Sequence, residues 1–405
     1  QPDILVDRHL LEMQREVESF GARRVVVDSM TVFLHKIDDR RVVRDKVFWL
    51  ANMMQNQQAV GFFANDTPPG TQQISRFGVE ETVMDGVISL TLEVEGLERH
   101  RYLEIVKLRN TAHVQGRHAM TIGPGGLTVF PRIDRVLPTL EQLVPPAPSR
   151  QRRSSGVPAL DGLLGGGLLD GSVTLVSGSP GTGKSTLGMQ FSLEAARSEE
   201  RALYISLEEG PGQLIQSAEE LGLPVRQALD AGRLEILYLP REDLHASRFL
   251  SVVEDRVRVF QPTRVVLDSA SDIEAHALAS EELRQLLYGL VIRLRTLGVT
   301  SLFTLEASTL FFGDTLSEQG LAPLADNILM VRYTQEQDLL VPRLRVVKTR
   351  GSSHDSSSHR MSVGKGGVLL GEASTLAAES PPSRSGTRSG AKKKPRLGLK
   401  RKPRQ

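Results

Sequence analysis

Gly178-Ser179-Pro180-Gly181-Thr182-Gly183-Lys184-Ser185-Thr186 decides the fold of this chain. The run fits G-x-x-x-x-G-K-[ST], and its surroundings fit as well as its letters. Ahead of it stands Ser172-Val-Thr-Leu-Val-Ser177, short and β-branched; behind it Leu187-Gly-Met-Gln-Phe-Ser-Leu-Glu-Ala-Ala196 has the apolar spacing of an amphipathic helix. Glycines at 178, 181 and 183 let the backbone curl until several N–H groups face one anion. The helix that follows adds its positive end to the same point. Lys184 supplies a mobile cation for the β- and γ-phosphates, and the Ser185 hydroxyl suits Mg2+. The stretch predicts a strand, a phosphate-binding loop and a helix, and with them an ATP-type ligand.

Outward from the loop, strands are expected at Val173–Val176, Ala202–Ser206, Leu234–Tyr238, Arg264–Leu267 and Thr300–Leu305. Helices are expected at Thr186–Arg197, Gln213–Leu221, Ala246–Val259 and Glu281–Leu297. Such alternation gives an α/β fold: a mainly parallel sheet with helices on both faces and ligands at the carboxyl ends of the strands. A Gly-rich block from Leu344 to Leu370 reads as antiparallel hairpins. Asp268 follows the Arg264–Leu267 strand, where an acid beside the loop can hold Mg2+; its alternative is to cap a helix. Glu208 and Glu209 follow the Ala202–Ser206 strand, where a carboxylate can deprotonate an attacking water. The sequence does not choose between the two.

The chain also repeats itself at an offset of 240 to 241 residues. Arg24-Val-Val-Val-Asp28-Ser29 answers Arg264-Val-Val-Leu-Asp268-Ser269, and Met84-Asp85 answers Ala325-Asp326. Val106-Lys107-Leu-Arg109, with His113, answers Val347-Lys348-Thr-Arg350, with His354; Ile122-Gly-Pro-Gly-Gly-Leu127 answers Val363-Gly-Lys-Gly-Gly-Val368. One constant spacing across four blocks is a domain duplication. The counterpart of Lys184 would fall before Gln1, so the first copy is expected to lack its loop here, as in a sequence that has lost its beginning. The expected organisation is a truncated first domain (1–132), a Pro- and charge-rich linker (133–155), a complete second domain (156–375) and a basic tail (376–405).

At 405 residues two domains are the natural prior. There is no cysteine, which excludes disulfides, thiolate metal sites and a cysteine nucleophile. Neither a signal peptide nor a membrane-length apolar run is present, so a cytoplasmic protein without membrane association is expected. Ten Lys and Arg residues lie in 380–405 with no acid among them; the remaining 40 bases face 48 acids, a body of net −8. A Ser/Pro/Gly-rich basic tail of this kind is expected to be disordered. It is either simply solvated or an electrostatic hold on nucleic acid or an acidic partner.

These residues together resemble the KaiC family of RecA-like ATPases, from Gln1 to about Gly371. The specific marks are Pro158-Ala-Leu-Asp161-Gly-Leu-Leu-Gly-Gly-Gly167, Ser206-Leu-Glu-Glu209, the two V-x-x-D-S strands, Gly78-Val-Glu-Glu81 and the paired K-x-R segments. The resemblance implies a doubled RecA-like fold in a homo-oligomeric ring, usually a hexamer, with ATP between subunits. It implies that Lys348 and Arg350 reach the γ-phosphate held by the next subunit, with His354 nearby. Clock members carry a Ser–Thr pair where Ala322-Pro323 stand here; neither accepts phosphate, although Thr315 and Ser317 are nearby hydroxyls. The leading expectation is a regulatory, clock-related ATPase. The alternatives are a serine/threonine autokinase of the clock type and a DNA-associated RecA-like ATPase tethered by the tail.

Overall fold

The computed structural model describes residues 2–35, 37, 39–67, 74, 78–95, 98–132, 151–240, 246–271, 280–306, 323–351 and 354–373. The tail 376–405, linker residues 133–150, Thr315, Ser317 and Ala322 lie outside the described residues.

The first copy opens with α1 (Pro2–Phe20), β1 (Arg24–Val27), α2 (Met30–Leu34) and α3 (Arg40–Asn56). It continues through β2 (Val60–Phe63) and α4 (Glu80–Val83) to β3 (Gly86–Glu95), β4 (Glu98–Leu108), β5 (Arg117–Gly123) and β6 (Gly126–Phe130). Val43, Val47, Leu50 and Met54 recur at helical spacing on α3 and are buried against Val6, Leu10 and Val27.

The second copy starts with a two-residue pair, β7 (Arg152–Arg153) and β8 (Leu168–Leu169), around α5 (Pro158–Leu163). Then come β9 (Val173–Gly178), α6 (Lys184–Arg197), β10 (Ala202–Ser206), α7 (Pro211–Glu220), α8 (Val225–Asp230) and β11 (Leu234–Tyr238). The rest is α9 (Ala246–Phe260), β12 (Arg264–Asp268), α10 (Ser280–Thr296), β13 (Thr300–Glu306), β14 (Asn327–Glu336), β15 (Leu339–Thr349), β16 (Ser358–Gly364) and β17 (Gly367–Ala373). The expected parallel sheet and hairpins are both present, as one nine-stranded sheet in the order β11-β10-β12-β13-β9-β14-β15-β16-β17. Strands β11 to β14 run parallel to their neighbours, and β15 to β17 are antiparallel. Several elements extend beyond expectation, among them α6, which begins at Lys184 rather than Thr186, and β12, which includes Asp268.

Alternation along the buried strands feeds two cores, as a doubly covered sheet requires. Val176, Tyr204, Val266 and Leu302 pack with Leu187 and Phe191 of α6. Leu175, Leu203, Ile205, Val265 and Leu267 pack with Phe249 and Val253 of α9 and Leu290 of α10.

The duplication is visible in the backbone. Arg24↔Val60 through Val27↔Phe63 is the same parallel register as Arg264↔Thr300 through Leu267↔Phe303. The β3/β4 ladder slips between Val87 and Ile88; the β14/β15 ladder slips at the matching place, between Ile328 and Leu329. The Asp28–Ser29 and Asp268–Ser269 peptides are both cis. The copies part where β9 stands. In the second copy β9 joins β13 to β14; among the described residues of the first copy no strand joins β2 to β3, and β1-β2 and β3-β4-β5-β6 are separate sheets. Val266, Leu302, Leu329 and Val331 are at most 1% exposed, whereas Val26, Phe62, Ile88 and Leu90 are 73%, 59%, 52% and 59% exposed. Each such side chain contributes about 1.5–3 kcal/mol when buried, as the four of the second copy are.

Candidate functional site

The loop between β9 and α6 is formed by its own short contacts. The Thr182 hydroxyl donates to the Ser179 carbonyl at 2.8 Å, and both residues are buried. Gly183 sits at φ +90, the left-handed region that favours glycine. A Cβ there would come within 2.6 Å of Val363 Cγ2, so β16 leaves no room for a side chain. A Cβ at Gly178 would meet Thr182 Oγ1 and the Val331 carbonyl at 2.9 Å. Pro180 and Gly181 are exposed at the tip, while Ser185 and Thr186 are half-buried in the first turn of α6.

Lys184 folds back over this loop: its ammonium donates to the carbonyls of Gly178 at 3.0 Å and Ser179 at 2.9 Å. Burial pushes its pKa below the usual lysine range, and the negative charges of Glu306, Asp268 and Glu208 oppose that shift. The ends of β13, β12 and β10 lie side by side next to the loop: Glu306 is in register with Gly178, and Asp268 with Ser206. This is the carboxyl edge of a parallel sheet, where α/β folds place ligands.

Asp268 is buried at the end of β12, and its described side-chain partners lie on the two neighbouring strands. Its Oδ2 accepts the Tyr204 hydroxyl at 2.6 Å, and its Oδ1 accepts the Thr304 hydroxyl. The Tyr204 oxygen also lies 3.5 Å from the Ser185 carbonyl, so one phenol spans Asp268 and the first turn of α6. Glu208 is exposed and Glu209 half-buried, and the Glu209 carbonyl accepts the Ser206 hydroxyl at 2.6 Å. Burial, then the charges of Asp268 and Glu208, raise the Glu209 carboxyl above its ordinary pKa.

Lys348 and Arg350 lie at the end of β15, and their described bonds within the chain run to the segment before β14. Lys348 donates to the Ala325 carbonyl at 2.7 Å, and Arg350 to the Pro323 carbonyl at 3.3 Å. Arg350 also pairs with Asp326 at 3.5 Å. The first copy repeats the arrangement: Lys107 donates to Glu81 and Met84 carbonyls, Arg109 to the Thr82 carbonyl, and Arg109 pairs with Asp85. Burial, then the charge of Arg350, lowers the pKa of Lys348. The structure therefore gathers Lys184, Asp268, Glu208 and Glu209 at one mouth, and holds Lys348 and Arg350 as a second cluster.

The sequence reading missed Tyr204 and Thr304. A signal existed for the first: a tyrosine inside an otherwise apolar buried strand needs a partner for its hydroxyl. Among the described residues no group of three or more His, Asp or Glu could hold a metal alone. The donors that are present, a serine hydroxyl and a carboxylate, are hard oxygens, which suit Mg2+ bound jointly with phosphate. No helix among the described residues is long and apolar enough to cross a membrane.

A phosphate loop on the central strand of a mainly parallel sheet, with acids at the neighbouring strand ends, defines a RecA-like P-loop ATPase domain. The model of the KaiC ATPase family matches residues 5–134 and 153–375, and the chain belongs to that family. The circadian clock oscillator protein KaiC 1 of Synechocystis is 30% identical over 355 residues, 88% of this chain and 67% of that protein. The circadian clock oscillator protein KaiC of Picosynechococcus is 29% identical over 358 residues, 88% of this chain and 68% of the relative. That of Synechococcus elongatus is 30% identical over 341 residues, 84% and 64%. The chain thus spans about two thirds of the length of these relatives.

Proposed function

We propose that this chain hydrolyses Mg-ATP at the loop of its second copy, within a homo-oligomeric ring whose neighbouring subunits complete each site. The observation that carries the proposal is the phosphate loop, with Lys184 folded over it, beside the acid-bearing ends of β12 and β10. The backbone N–H groups of residues 178–186 and the Lys184 ammonium bind the phosphates; Lys184 exchanges its two loop carbonyls for phosphate oxygens. Ser185 and Asp268 would hold Mg2+, which supplies charge neutralisation across the β- and γ-phosphates. Glu209 accepts the proton of the attacking water: it is half-buried where Glu208 is exposed, and its carboxyl feels the charge of Asp268.

Lys348 and Arg350 act on the γ-phosphate of the neighbour's ATP, as positive groups aimed at developing charge. Their support is the repetition of the same clasp by Lys107 and Arg109. A regulatory, clock-related role is proposed from the relatives, which are circadian clock oscillator proteins, and a hexamer is the ring size proposed. Ala322 and Pro323 offer no hydroxyl, so the proposed chemistry ends at hydrolysis rather than phosphorylation at these positions.

Mixed rings test the shared site. Lys184→Ala and Lys348→Ala are each expected to be inactive alone and to regain turnover when co-assembled, because some interfaces then hold both an intact loop and an intact donor. Mixtures as inactive as their components, from rings shown by mass to be mixed, would overturn the shared site.

A further inference from the structure

The Asp268 carboxylate is held by two neutral hydroxyls and by no cation in the described contacts. Tyr204 donates to Oδ2 at 2.6 Å and Thr304 to Oδ1, so each oxygen has one lone-pair direction occupied. A hydroxyl donor restrains the broad terminal torsion of an aspartate without cancelling its charge. The full negative charge is therefore left for a cation, in one fixed orientation. A lysine or arginine in the same place would restrain the group and neutralise it at once.

Tyr204 is itself fixed. It is fully buried in the middle of β10, on the face covered by α6. A Cβ at Gly188 of α6 would lie 3.5 Å from Tyr204 Cε2 and 3.7 Å from its hydroxyl oxygen, so the helix packs directly on the ring. That oxygen is also 3.5 Å from the Ser185 carbonyl. The first copy presents the contrast: its Asp28, at the matching strand end, is exposed.

We infer that Tyr204 is a positioning residue of the cation site, tying the Asp268 carboxylate to the turn of α6 that carries Ser185, with Thr304 as its counterpart on the other carboxylate oxygen. The inference rests on the proposed roles of Asp268 and Ser185. It predicts an effect on the cation and not on the nucleotide. Removing the phenol oxygen leaves the loop, Lys184 and the packing of the ring in place, and frees the carboxylate to turn.

The test uses the full chain and Mn2+ as the spectroscopic probe. Mn2+ binding to protein saturated with a non-hydrolysable ATP analogue is followed by electron paramagnetic resonance, and analogue affinity is measured separately in chelator. Tyr204→Phe is expected to weaken Mn2+ by about tenfold, the lower range for outer residues that orient metal ligands, with metal-free analogue affinity within about twofold of wild type. Thr304→Val, equal in size, is expected to act in the same direction and serves if Tyr204→Phe does not fold. Asp268→Asn is the control for the site itself and should lose Mn2+ almost entirely. Unchanged Mn2+ affinity in Tyr204→Phe and Thr304→Val beside a sensitive Asp268→Asn overturns the positioning role alone. An insensitive Asp268→Asn overturns the cation site, and the inference falls with it.

Discussion

Glu209 shows what a single residue's surroundings decide. Two adjacent glutamates follow β10, and the sequence offers no ground for preferring one. Burial and the neighbouring acids raise the pKa of Glu209, whereas Glu208 is exposed. A general base must be ionised to work, so its activity is present above its pKa and lost as pH falls through it. With the pKa raised, that loss begins at a higher pH than an ordinary glutamate, near 4.5, would give. The expected result is an acidic limb in kcat displaced upward in the wild type. Glu209→Gln should lower kcat by about 10²- to 10⁴-fold and remove the limb, while Glu208→Gln keeps it. A limb that survives Glu209→Gln and vanishes with Glu208→Gln would exchange the two roles. The partners of Asp268 were hidden from the sequence for a different reason. Tyr204 is 64 positions away and Thr304 is 36, on strands whose adjacency only the folded sheet defines.

At the scale of elements, β9, the loop and α6 were legible because strand, glycine pattern and helix period agree locally. The Lys184 start of α6 was less so: the loop and the helix share residues, and the left-handed Gly183 forms the joint. What ties these elements to the rest is a buried arginine that no motif announces. Arg264 of β12 is 2% exposed and pairs with Glu200 at 3.2 Å. It also donates to the Ser154 carbonyl at 2.6 Å, and its guanidinium lies 4.9 Å from the centre of the Phe191 ring on α6. The sequence matched Arg264 to Arg24 as letters, but Arg24 is exposed. Removing Arg264 leaves Glu200 its Arg153 partner but unsatisfies the Ser154 carbonyl and empties a buried site, at a cost of about 1–3 kcal/mol. Arg264→Ala should therefore lower the denaturant midpoint of the second copy by that order, read by urea unfolding. A change within about 0.5 kcal/mol, as at an ordinary surface position, would show that the arginine is not a tie.

Over the whole molecule the duplication governs function more than fold. Both copies keep one parallel register (β1 with β2, β12 with β13), the slipped ladder and the Lys–Arg clasp, yet β9, the loop and α6 are described only in the second. The repeat itself was legible from the constant offset. Its physical consequence was not legible: the apolar residues left exposed on β1, β2 and β3 are the counterparts of those beneath α6. The ATP site of the second copy should accordingly have Lys184 at its centre. Equilibrium binding of ATP to the full chain and to Lys184→Ala measures this most directly. The account predicts that the ATP binding of residues 156–375 is lost in the variant; binding there undiminished in Lys184→Ala would contradict it.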